Sequence, residues 1–180
     1  MNKNKLKNQS QYTKNQIMYR DKERRQDFWI ATTRFNNETL RENRRWMDNI
    51  AHTEWKCIYG PARKINSDRI PIYSLMYILE MNNERNEIAG IGMIRNYVYF
   101  DMDIYTDANF NQFIYKGKQH IEREALSDAD RDGPLSSIED KVFKGKKHLK
   151  RGGGITCMPP ECLSESEVKF IVGLFSSAKP

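Results

Sequence analysis

Three consecutive stretches decide the fold: Ile72–Met81 (IYSLMYILEM), Asn82–Asn86 (NNERN) and Glu87–Ile94 (EIAGIGMI). Two apolar runs flank a polar turn, which predicts that Ile72–Met81 and Glu87–Ile94 are adjacent antiparallel strands. Gly90 and Gly92 leave two places in the return strand without side chains, which suits a bulge or the close approach of another group. Upstream, Phe28–Thr33 (FWIATT) reads as a buried strand rich in aromatic and β-branched residues. Asn36 and Asn37 offer N-caps with Glu38 in the first turn, and Leu40, Met47 and Ile50 recur at helical spacing, so a helix is predicted over Thr39–Ile50. Downstream, Tyr97–Tyr105 and Gln112–Tyr115 read as further strands, and residues 124–140 as an acidic loop around Gly133-Pro134. Ser164 and Glu167 form a capping-box pair with Leu163 and Val168 at the staple positions, which predicts a helix over Ser164–Phe175.

These elements define one α/β domain over residues 27–176, between a basic arm at 1–26 and a short tail at 177–180. Residues 1–25 hold eight basic and two acidic side chains, so their net charge equals the +6 of the whole 180-residue chain. Such an arm suits phosphate or an acidic partner surface, and its few apolar residues leave it little to repay the cost of ordering. The longest apolar run, Phe170–Phe175, is far too short for a membrane span, and the lysine-rich start offers no signal-peptide core. Three separated cysteines give no disulfide framework, which points to an intracellular protein of cytoplasm or nucleus.

The order strand, helix, tryptophan-bearing loop, hairpin, further strands and final helix resembles the PUA-like barrels, particularly the EVE and YTH branch. The resemblance rests on Phe28-Trp29-Ile30 entering a helix, on Tyr77–Met81 turning into the Gly-containing Ile88–Ile94, and on Met158-Pro159 leading into Ser164–Phe175. It implies a PUA-like curled mixed β-barrel with flanking helices, used for nucleic-acid recognition. In the YTH branch aromatic walls hold a modified base, and Trp29, Trp46 and Trp55 are the tryptophans available here. A base-reading domain needs at least two of them facing one cavity.

A short internal repeat carries the charge. Tyr115–Arg123 (YKGKQHIER) recurs 28 residues later as Phe143–Arg151 (FKGKKHLKR), with five of nine positions identical. Glycine between cations lets them approach a ligand closely, so Lys116, Lys118, Arg123, Lys144, Lys146, Lys147, Lys150 and Arg151 are the expected phosphate contacts. Gly152-Gly153-Gly154 adds backbone N–H groups to the second copy.

Two metal patterns are weaker. His120, His148, Cys157 and Cys162 have the ligand types for zinc, but Cys-x4-Cys is a loose spacing stiffened by Pro159-Pro160, so no metal is expected there. Asp101, Asp103 and Asp107 could hold Mg²⁺ in a nuclease, yet alternate aspartates also describe a solvent-facing edge. No P-loop, nucleophile elbow or His-Glu-x-x-His motif occurs. The expectation is a non-enzymatic protein without cofactor that binds DNA or RNA. Fifteen Asn and 17 Ile beside abundant Lys suggest an A+T-rich coding genome, such as that of a large DNA virus. That raises an alternative: a structural or virion-associated protein whose arm ties neighbouring subunits or genome together.

Overall fold

The computed structural model describes residues 28–51, 53–100, 102–145 and 148–176. The basic arm, the C-terminal tail, Asp101, Lys146 and Lys147 lie outside the described residues. The expected mixed α/β fold is present. Strand β1 (Phe28–Phe35) leads into helix α1 (Asn37–Asn49), and β2 (Cys57–Tyr59) follows. The hairpin β3 (Leu75–Asn82) and β4 (Glu87–Arg95) comes next, then β5 (Tyr115–Gly117) and β6 (Gln119–Glu122). Helix α2 (Ser136–Phe143), strand β7 (Thr156–Cys157) and helix α3 (Glu165–Ser176) complete it. No helix among the described residues is long and apolar enough to cross a membrane.

The main sheet runs β6-β4-β3-β1-β7, and β2 and β5 form a separate antiparallel ribbon. The predicted hairpin forms, pairing Leu75 with Arg95 through to Asn82 with Glu87, with a register shift after Glu80. It begins at Leu75 rather than Ile72 because Tyr73 lies in a turn at φ 69°, outside the strand region. Among the described residues, the one parallel pairing is β1 on β3. No pairing among the described residues joins the edge strands β6 and β7.

Side-chain alternation splits the sheet into two apolar faces. Ile30, Tyr77, Leu79 and Ile91 face Ile138 and Val142 of α2 and Ile171 and Phe175 of α3. Ala31, Met76, Ile78 and Ile94 face the other way, where Ile58 and Tyr59 of the ribbon and Leu40, Trp46 and Met47 of α1 cover them. Both predicted caps are made. Asn36 accepts from the Thr39 amide at 2.7 Å while Thr39 accepts from the Asn36 amide at 3.1 Å. Ser164 N donates to Glu167 at 2.6 Å, and the Glu167 amide donates to Ser164 Oγ at 3.3 Å. The Glu167 carboxylate also receives Lys141 at 2.5 Å and Ser137 Oγ at 2.7 Å. Burial alone would raise its pKa, but these donors hold it down at about 2.

Two expectations are corrected. Residues 124–140 are not a loop: a helical turn at Asp128–Asp130 and a π-turn at Arg131–Leu135 run into α2. Ser127 caps that turn, and Leu135, Ile138 and Val142 bury fully against the first face, which outweighs Gly133-Pro134. Tyr97–Tyr105 is not a strand; it holds one isolated bridge, Tyr99 to Ile114. Its aromatic alternation serves the surface described next.

Candidate functional site

Two features concentrate chemistry, one buried and one exposed. The buried one lies between the sheet and α1. Glu80, on the α1 face of β3, has no exposed surface. Its carboxylate accepts from Arg44 Nη2 of α1 at 2.5 Å, from Tyr59 Oη of β2 at 2.7 Å and bonds His120 Nε2 of β6 at 2.9 Å. Arg44 Nη2 also donates to Glu122 at 2.8 Å, and its Nη1 donates to Asn43. Cross-strand register explains the grouping: Glu80 stands opposite Gly90, which stands opposite Glu122, and Gly92 stands opposite His120. A Cβ on Gly90 would lie 2.8 Å from both Glu80 Oε2 and His120 Nε2. A Cβ on Gly92 would fall inside the Tyr59 hydroxyl. The glycines of the hairpin thus admit a charged cluster into the sheet.

The cluster is balanced when His120 is protonated, with two cations against two carboxylates. Burial alone would raise the Glu80 pKa, yet the charges and bonds of His120 and Arg44 hold it well below the usual carboxylate range. Burial lowers the His120 pKa, but the Glu80 carboxylate outweighs this and raises it. Glu122 moves up, because its burial outweighs Arg44. Ligand atoms of Glu80, His120 and Glu122 lie within 4.8 Å of one another, the one such group among the described residues. Arg44 bridges both carboxylates and supplies the positive charge that a metal ion would bring.

A pH dependence follows. His120 has a folded pKa above its unfolded 6.5, so its stabilisation is complete below that value and is lost as pH rises through the folded pKa. Glu80 has a folded pKa below 4.5, so its contribution is present above 4.5 and lost as pH falls through the folded pKa. Glu122, shifted upward, costs stability as pH rises from 4.5 through its folded pKa. Chemical denaturation at several pH values is expected to show greater stability between 4.5 and 6.5 than in mild alkali. His120→Gln should remove the alkaline decline; an undiminished decline would assign it to another group.

The exposed feature is a row of aromatic rings at the far end of the hairpin from its turn. Tyr73 stacks on Tyr97 with centroids 5.2 Å apart and planes 13° apart. Tyr97 meets Tyr99 edge-on at 5.0 Å, and Tyr99 meets Trp55 edge-on at 5.5 Å. Tyr73 is 61% exposed, Tyr97 40% and Phe100 64%. Buried Asn96 fixes the row: Tyr73 N donates to Asn96 O at 3.0 Å, Asn96 N donates to Ser74 O at 2.9 Å, and Asn96 Nδ2 donates to Ile70 O at 2.7 Å. Lys116 Nζ lies over Tyr99 at 4.1 Å and Trp55 at 4.5 Å from the ring centroids. Lys118 Nζ stands 5.8 Å from Trp55 and pairs with Glu54. Burial lowers the Lys116 pKa. Arg95 Nη1 donates to Tyr73 O at 3.1 Å and adds a third cation.

The sequence-derived residues separate into groups. Lys116 and Lys118 reach this row. Arg123 is a fold contact, donating to Glu139 and to Ile88 O. Lys144 pairs with Asp140 at 2.6 Å, one turn back along α2. Lys150 donates to Asn86 Oδ1 at 2.6 Å, at the hairpin turn, and Arg151 is exposed. Lys146 and Lys147 are outside the described residues. Gly117 approaches Met93, near the far end of β4 from Asn86. The Lys116–Lys118 end of the first copy and Lys150 of the second therefore lie roughly 20 Å apart along the hairpin, at about 3.4 Å per residue, while Arg123 ends the first copy beside Ile88. The two copies share sequence but not structure, one being β5–β6 and the other a helix end and loop.

The tryptophans part in the same way. Trp29 and Trp46 pack against the α1-side core, and only Trp55 joins the aromatic row. The zinc set is dispersed: Cys157 packs on one face of the sheet, Cys162 on the other, and His120 belongs to Glu80. Asp107 caps a short turn by accepting from Asn109 N at 2.9 Å, Asp103 is exposed, and Asp101 lies outside the described residues. Reading the residues alone missed Tyr73, Tyr97 and Tyr99 as a unit. The signal was there: extending the Leu75–Arg95 register outward by two places sets Tyr73 opposite Tyr97. Compared with protein-family models, with curated proteins and with solved structures, the chain matches none.

Proposed function

We propose that the protein binds DNA or RNA without catalysis, as a single strand whose bases stack on the Tyr73–Tyr97–Tyr99–Trp55 row. Lys116, Lys118 and Arg95 take the adjoining phosphates. The observation that carries this reading is the aromatic row itself, open to solvent on Tyr73 and Tyr97 and ringed by cations. Base–aromatic stacking tolerates any sequence because every base has a flat π-face, and a basic margin supplies counterion release. A cluster of exposed rings is otherwise a cost to a protein in water. The PUA-like curl belongs to the same proposal. Its support is the corner at Lys118, where the chain leaves the β2–β5 ribbon and enters the five-stranded sheet. The basic arm adds non-specific affinity.

The test is anisotropy with unrelated single-stranded oligonucleotides across salt concentrations. Tyr73→Ala with Tyr97→Ala should cost about 1–3 kcal/mol for each stacked base lost, much the same for every sequence. Lys118→Gln should flatten the salt dependence by about 0.7 log units if it removes one single-strand phosphate contact. Removing residues 1–25 should flatten it further. Unchanged affinity and slope in folded variants would overturn the proposal and favour the structural, virion-associated reading.

A further inference from the structure

Arg34, near the end of β1, is a half-buried cation without a counter-ion among the described residues. Its Nε donates to Leu149 O at 2.7 Å, and Nη1 donates to Gly154 O at 3.0 Å and Thr156 Oγ1 at 3.1 Å. All three acceptors are neutral. Nη2 is buried and has no hydrogen-bond partner among the described residues. Burial lowers the Arg34 pKa, and no neighbouring carboxylate opposes it. A guanidinium serving only to hold the 149–156 segment would leave one buried donor unsatisfied, which costs stability.

The surroundings say what would satisfy it. Arg34 lines an open cleft together with Thr33, Thr39 and Gly154 on the polar side. Phe35, Pro61, Tyr105 and Phe110 form the apolar side. Gly152 and Gly154 adopt positive φ of 125° and 82°, and a Cβ on Gly152 would lie 3.6 Å from Arg34 Nη2. The loop therefore covers the guanidinium with bare backbone, and Gly153 has no atom within 4 Å of its Cβ position to hold it down. Glycine is the residue that lets backbone approach and withdraw from an anion.

We propose that this cleft binds the phosphate group of an organic phosphate of the nucleoside monophosphate class. The triglycine loop shifts so that Arg34 Nη2 bonds the phosphate, and the flat body lies against Pro61 and Phe110. Arginine suits this role because its planar fork matches phosphate oxygens. The cleft meets the chain at Gly60, after β2, whereas the aromatic row meets it at Trp55, before β2, so the two sites are separable.

Calorimetry on the full chain tests this with inorganic phosphate, a nucleoside 5′-monophosphate and the matching nucleoside. The expected order is monophosphate tightest, inorganic phosphate weaker and nucleoside weakest. Arg34→Gln should abolish the preference for phosphate, but it also removes the clamp on residues 149–156 and can unfold the chain. Thr39→Glu avoids that problem: glutamate at this third helical position preserves the capping box while placing a negative charge on the cleft wall. It should leave the melting temperature intact and weaken monophosphate binding by about tenfold or more. Competition by a 5′-phosphorylated strand, absent for its 5′-hydroxyl counterpart, would support a strand end as the source; lack of competition would support a free nucleotide. No saturable phosphate binding, equal binding of nucleoside and monophosphate, or an unaffected Thr39→Glu variant would each overturn the proposal. None of these outcomes bears on the Tyr97 row, whose failure is read from Tyr73→Ala with Tyr97→Ala.

Discussion

Glu80→Ala is expected to destabilise the chain by about 3–5 kcal/mol, because it strands the partly buried Arg44 and the buried His120 without their shared carboxylate. Tyr59, fully buried beneath α1, loses its acceptor in the same step. The loss should appear as a lower urea midpoint with little change in slope. Glu80→Gln should cost less, since an amide oxygen still accepts from Tyr59 or Arg44. Replacing Glu80, Arg44 and His120 together with apolar residues of similar volume should recover much of the loss, as the expense lies in an unpaired charge rather than in a missing pair. A Glu80→Ala loss below about 1 kcal/mol, the range of an exposed pair, would mean that the cluster is solvated in solution.

Gly92→Ala is expected to destabilise as well, through overpacking of about 1–3 kcal/mol. The added methyl would occupy the place of the Tyr59 hydroxyl and crowd the buried Cys57 sulfur at 2.9 Å. Neither can retreat easily, because Tyr59 is 1% exposed and Cys57 2%. Tyr59→Phe alone should destabilise by removing a donor from Glu80, yet in the Gly92→Ala background it should restore stability by removing the clashing oxygen. That sign reversal is a coupling energy, measured by a double-mutant cycle from denaturation curves. Additive losses would show that the clash is relieved elsewhere, by movement of β2 away from the sheet.

The hairpin, helix α1 and helix α3 were legible because their signals are local: apolar runs around a polar turn, and two caps that need only residues three apart. The parallel pairing of β1 with β3 was not, since it joins strands separated by helix α1 and strand β2. Helix α2 was hidden because its warrant is burial of Leu135, Ile138 and Val142, which tertiary packing decides. Gly90 and Gly92 announced a close approach, but which group approached depended on the far-off Tyr59 and His120. The repeat misled in an instructive way. Its buried aromatic residues, Tyr115 and Phe143, do anchor each copy, while the intervening lysines follow whatever element the anchor joins. Alternating Tyr97 and Tyr99 mimic a strand in composition, although their rings are arranged for the surface.

The position of β1 also has a consequence for synthesis. This strand lies inside the sheet, yet its partner on one side is β7, and Thr32 bonds Thr156 across 124 residues. A ribosome adding about 5–20 residues per second delivers β7 some 6–25 s after β1. During that interval β3 and β4 have already arrived and can dock, leaving the Ala31–Thr32 edge of β1 as an open template for any passing strand. The danger of wrong pairing is therefore concentrated in the nascent chain, and a chaperone that shields this edge would matter more than one that acts on the finished fold.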